Sequence, residues 1–202
     1  MADTGTWRGR AAHLAPDRDW VLKMLRYNPA TTQDPEAALR EVDSARAALV
    51  AVAQPQAWWR AFPALTVADD TVAAGEFAVA SAKLAEHLAG CTALTLLAVS
   101  LGPGTDALAA QLLKEHRYAC AVAADAWGSA FVEAAADLVC GQLAAAQAGE
   151  VMRPRFSPGY GDWPQTDNAR LLPLLPGCPV HANAAGMLTP QKSITALIGW
   201  SC

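Results

Sequence analysis

The segment Arg155-Phe-Ser-Pro-Gly-Tyr-Gly-Asp162 holds the residue types best suited to chemistry on a small ligand. Arg155 offers a permanently charged fork, the glycines permit close backbone approach, and Tyr160 can both stack and hydrogen-bond. Together they suit a small, anionic, partly apolar ligand. The same residues would also make a plain structural turn if Arg155 paired with Asp162, and both readings stay open on the residues alone. Upstream, Asp125, Ser129, Glu133 and Asp137 recur every fourth residue in a helix-forming run, so they share one helix face. Such a stripe is either solvated or turned towards a cleft, and Asp125 and Glu133 are its candidates for function.

Other chemistry is weakly supported. Leu101-Gly-Pro-Gly104 stands between a strand-like and a helix-like run, where backbone N–H groups could approach a phosphate. It lacks both the Gly-x-Gly-x-x-Gly spacing and the Lys-Ser/Thr of a P-loop, and a strand-to-helix turn explains it. His13, His87, His116 and His181 are scattered, with no second ligand at metal spacing, so no metal site is expected. Cys91, Cys120, Cys140, Cys178 and Cys202 are odd in number and widely spaced, which points to reduced thiols, mostly buried as small hydrophobes. No Gly-x-Ser-x-Gly nucleophile motif occurs.

The 202 residues, 53% hydrophobic and 17% charged, are enough for one sizeable core. A net charge of −4 argues against a nucleic-acid-binding surface. No run reaches the ~20 consecutive apolar residues of a membrane span, and the start lacks the apolar core of a secretory signal. A soluble, cytoplasmic chain with no membrane partner is therefore expected.

Several elements must position the candidate residues. Alanine forms roughly a quarter of the chain and favours helices. Pro35 to Val52 reads as a helix capped by Asp34, with Arg40, Glu41 and Arg46 on its wet side. Val67 to Val72 suggests a hairpin around Asp69-Asp70. A short helix is expected from about Ala82 to Ala89, a buried strand from Thr92 to Ser100, and a helix from Thr105 to His116. A long central helix follows, from about Ala119 to Ala148. The Pro- and Gly-rich stretch Met152 to Asp167 reads as a rigid, ordered loop, then a short helix from Asn168 to Leu175 and a final strand from Ser193 to Ile198. The sum is an α+β domain with a mostly antiparallel or mixed sheet, without regular β-α-β alternation.

On these residues the chain resembles the reactivation domain of cobalamin-dependent methionine synthase, in its stand-alone form. Arg155 to Asp162 followed by Trp163-Pro164 is similar to the family's Arg-x-x-Pro-Gly-Tyr loop. Met187-Leu-Thr-Pro190 with Lys192-Ser-Ile-Thr-Ala196 resembles its Pro-x-x-Ser-Val-Ser/Thr strand, and Asp125 to Glu133 its long helix. Ser81-x-x-Leu-x-x-x-Leu88 and Ser100-Leu-Gly102 resemble the preceding elements. The likeness implies an N-terminal extension over residues 1–20 and an S-adenosylmethionine-binding domain over 21–202.

The resemblance further implies roles. Arg155 would clamp the carboxylate of S-adenosylmethionine, while Phe156, Ser157, Pro158 and Gly159 would form a backbone cradle. Tyr160 would sit between the two cofactors as the catalytic-position residue. Ser129 stands where the family carries a ligand-side Glu, which leaves Glu133 one turn on as the nearest carboxylate. The implied chemistry is reductive methylation of Co(I) cobalamin carried by a partner protein, a corrinoid methionine synthase or methyltransferase lacking this domain, with a flavodoxin-like electron donor. A non-catalytic module of the same fold that docks on a corrinoid protein is the alternative, and an unrelated small-molecule enzyme on the same scaffold a third.

Overall fold

A computed structural model describes residues 4–147 and 149–201. The end of the expected long helix at Ala148, and Cys202, lie outside the described residues. In chain order the first elements are β1 (Thr4–Arg8), α1 (Arg18–Met24), α2 (Pro35–Val52) and β2 (Gln56–Phe62). A small unit follows, β3 (Thr66–Ala68), β4 (Thr71–Ala74) and β5 (Phe77–Ala80), then α3 (Ala82–His87) and β6 (Ala93–Ser100). The helices α4 (Gly104–Lys114) and α5 (Tyr118–Ala146) come next. The remainder comprises β7 (Val151–Met152), α6 (Asn168–Leu171), β8 (His181–Ala182), β9 (Leu188–Thr189) and β10 (Ser193–Ser201).

Five strands form one antiparallel sheet in the order β1-β2-β6-β10-β7. Both of its faces are covered, which is why β6 and β10 read as almost unbroken apolar runs rather than alternating ones. Leu97, Val99, Ile198 and Trp200 point to the side packed by α2 and α5. Leu94, Leu96, Ala98 and Leu197 point to the other side, against α3, the β3-β4-β5 unit, Trp163 and Leu171. The period of two along each strand thus feeds two separate cores.

Helix α5 has the length and apolar composition of a membrane span. Here it is the core helix: alanines at 123, 126, 130, 135 and 136 let it lie close on α2 and the sheet, with Trp127 and Phe131 filling the seam. Trp127 donates its indole N–H to the Val42 carbonyl at 2.9 Å, and the Arg46 guanidinium lies over both rings. Asp34 caps α2 as expected, accepting from the Ala37 N–H.

Within the expected N-terminal extension, Thr4–Arg8 pair with Gln56 to Arg60 of β2 as the sheet's edge strand, and Asp17 caps α1. The sheet needs this strand to cover the exposed edge of β2. The hairpin around Asp69-Asp70 is part of a three-stranded unit, because β5 adds to β4.

Candidate functional site

After β7 the chain keeps running beside β10. The Arg153 N–H bonds the Gly199 carbonyl, and Phe156 exchanges both backbone hydrogen bonds with Leu197. This edge pairing fixes the backbone on either side of Arg155 and sends its guanidinium to α5. There Nη2 donates to Glu133 Oε2 at 2.6 Å, Nη1 lies 2.9 Å from Asp137 Oδ1, and the Cys140 Sγ is 3.8 Å away. Glu133 and Asp137 of the polar stripe therefore border a cleft, with Asp137 still largely in water. Burial pushes the Cys140 thiol up, so it meets Arg155 as a neutral group.

Beyond Arg155 the loop folds on itself. The Gly159 N–H bonds the Trp163 carbonyl at 2.8 Å, and the Trp163 N–H bonds the Tyr160 carbonyl at 3.0 Å. Gly159 takes φ +97°, a conformation disfavoured for residues with a Cβ, so the tight turn depends on it. The Trp163 ring is buried, stacks on Phe156 at 6.3 Å and donates to Asp167 Oδ2 at 2.8 Å. It is the loop's anchor.

Asp162 does not pair with Arg155. Its carboxylate sits at the start of α3, where Ser81 Oγ and the N–H groups of Ala82 and Lys83 donate to it. The Ser81 hydroxyl, joined by the Lys83 and Ala82 N–H groups, holds the Asp162 carboxyl below the usual aspartate range. The folded state thus prefers the ionised form, and this contribution is lost as pH falls from about 4 through the lowered value. Thermal midpoints of wild type and Asp162→Asn between pH 7 and 3 should differ most at neutral pH and converge on acidification. A constant gap would refute this.

Arg155 opens onto a cavity of about 750 Å³ whose wall includes Glu133, Asp137, Ser157, Pro158 and Tyr160. Met152, Pro154, Met187, Leu188 and Ile194 supply apolar surface, and Asn168, Gln191, Lys192 and Thr195 supply polar groups. Phe156 turns its ring away from the cavity onto Trp163 and His87. Gly159 contributes the turn rather than wall, and Ser129 lies beside the cavity through its bond from Lys192. Tyr160, 57% exposed, lines both this cavity and an adjoining groove of about 630 Å³ bounded by Leu14, Pro16, Trp20, Ala134 and Leu138.

Lys192 is the cavity cation that residue types alone did not mark. Its side chain is 16% exposed, and its Nζ lies 2.7 Å from Asp125 Oδ1 and 3.1 Å from Ser129 Oγ. Its stem crosses α5 at Gly128, where a Cβ would come within 2.9 Å of it. Gly128 beside the polar stripe is the one sequence trace of that crossing.

The Gly-Pro-Gly turn is closed by its own contacts. Ser100 Oγ accepts from the Gly102 N–H, Thr105 Oγ1 donates to the Gly102 carbonyl, and the Asp106 carboxylate accepts from the Gln191 N–H. A strand-to-helix turn accounts for it. Cys91, Cys120 and Cys140 are buried free thiols, and Cys178 is partly buried. Among the described residues no three His, Cys, Asp or Glu side chains gather as a metal site.

Superposed on solved structures, the chain aligns over 97% of its length with a crystal structure of the MetH reactivation domain bound to AdoHcy. The TM-score is 0.69, the identity 15%, and 78% of that chain is covered. The present chain has the fold of the MetH reactivation domain. The antiparallel sheet and long helix α5 are its shared frame. No protein-family model matches the sequence, and no curated protein matches it.

Proposed function

We propose that the chain is a reactivation-like module that binds S-adenosylmethionine in the Arg155 cavity and presents its methyl group to a corrinoid on a partner protein. The observation that carries this reading is the pairing of Arg155 and Glu133 on the wall of a cavity of about 750 Å³, in a fold whose solved example holds AdoHcy. A part-buried guanidinium beside a half-exposed carboxylate suits a zwitterionic amino-acid end, with Arg155 for its carboxylate and Glu133 for its ammonium. The apolar wall from Met152 to Ile194 suits the nucleoside, and the volume falls in the usual range for such ligands.

In this reading Ser157 and Pro158 shape the cavity floor, Gly159 makes the turn, and Phe156 holds the loop to β10. Ser129 acts through Lys192. Tyr160 stands at the mouth, between the ligand and whatever docks outside. A corrinoid on the partner, reduced by a flavodoxin-like donor, would be the acceptor of the sulfonium methyl, and S-adenosylhomocysteine would remain in the Arg155 cavity. The chain's own part is to hold the methyl donor still, for which no acid or base is required. Trp20, Leu138 and Tyr160, all exposed beside the cavity, offer apolar surface on which a corrinoid-carrying partner would close.

Calorimetric titration of the purified chain with S-adenosylmethionine tests the reading. Saturable heat that AdoHcy competes away is expected. Absence of heat, both alone and with a methyl-free corrinoid protein present, would overturn it. One observation favours the second reading, a docking module without ligand: Arg155 is already paired inside the chain by two carboxylates, while the apolar groove beside it lies open.

A further inference from the structure

We propose that Asp137 is an internal stand-in for the ligand's carboxylate, and that ligand binding displaces it from Arg155. This rests on the reading of Arg155 as the carboxylate clamp. The Arg155 side chain is 19% exposed, and a cation so largely withdrawn from water is costly to leave without an anionic partner. Glu133 and Asp137 fill that need in the free chain.

The two carboxylates differ in what they lose by leaving. Glu133 makes the shorter contact, 2.6 Å, and is 45% exposed; Asp137 sits at 2.9 Å and is 74% exposed. An incoming carboxylate would place a third anion on one guanidinium, so one of the residents must go. Asp137 exchanges an exposed ion pair, of small net worth, for water. It also has space to turn, since it borders both the cavity and the adjoining groove. Nη1 is then the donor the ligand inherits, while Glu133 keeps the fork oriented.

This exchange makes the site selective for ligands that carry a carboxylate. A nucleoside thioether without one has no group to put in place of Asp137, and Arg155 stays paired within the chain.

The test is calorimetric titration of wild type, Asp137→Asn and Asp137→Glu with two probes. AdoHcy has a carboxylate and an uncharged sulfur; methylthioadenosine has no carboxylate. Asp137→Asn should bind AdoHcy about two- to fivefold more tightly, the worth of the exposed pair it no longer has to break. Methylthioadenosine should bind both proteins alike, and Asp137→Glu, which keeps the competing charge, should show no gain. Because the side chain is exposed, the thermal midpoint should barely move. AdoHcy binding that is unchanged or weaker in Asp137→Asn, or a gain shared by methylthioadenosine or by Asp137→Glu, would overturn the exchange alone. Absence of AdoHcy binding in every variant would overturn the ligand reading of the cavity, and the exchange with it.

Discussion

Trp163→Ala lowers the free energy of unfolding by about 3–5 kcal/mol, the range for truncating a buried aromatic side chain. The ring is 1% exposed and lies between Phe77 and Phe156, so its removal leaves a cavity in the core on the α3 side of the sheet. It also strips the Asp167 carboxylate of its indole donor, leaving Arg170 to answer it. For a chain of this length the thermal midpoint falls by roughly 6–20 °C. The effect extends to the site, because Phe156 stacks on Trp163 and pairs by backbone with Leu197, and Arg155 is its neighbour. Denaturant unfolding with an unchanged slope checks the magnitude. A loss below about 1 kcal/mol, the middle of the range for ordinary substitutions, would show that the ring is not the loop's anchor.

On the proposed function, Arg155→Ala is expected to weaken binding of S-adenosylmethionine by about 1.5–3 kcal/mol, the worth of hydrogen bonds to a charged group. That is roughly ten- to 150-fold in the dissociation constant. The loss has two parts: the carboxylate of the ligand forfeits its donor, and it then meets Glu133 and Asp137 with no cation between them. Stability changes little by comparison, since both carboxylates reach water and a like-charge pair one turn apart costs only a few tenths of a kcal/mol. Titration calorimetry beside a melting curve separates the two effects. Affinity equal to wild type would remove Arg155 from the ligand site.

Much of the frame was legible along the chain. Helix α2 was readable to the residue from the Asp34-Pro35 start and the apolar spacing, and β6 and α5 nearly so. Strand β2 was not: Gln-Ala-Trp-Trp-Arg-Ala-Phe shows no alternation, because it is covered on both faces near the sheet centre. Strand β1 escaped for the opposite reason. Thr-Gly-Thr-Trp-Arg carries little apolar signal and becomes a strand only through pairing with β2.

At the site, residue types marked Arg155, Tyr160 and the four-residue stripe, since a guanidinium, a turn with glycine and a helical period are local properties. The partners of Arg155 were not local. Asp162 stands seven residues away in the chain yet caps α3, while Glu133 and Asp137, about twenty residues upstream, hold the guanidinium because β10 and α5 pack together. Lys192 likewise reaches Asp125 and Ser129 only because the tertiary fold passes its stem over Gly128. Which groups carry charge, which turns need glycine and which faces are apolar follow from the residues alone, being set by side-chain chemistry and backbone sterics. Which charges meet and what cavity they enclose follow from the packing, because they depend on distances between segments far apart in the chain.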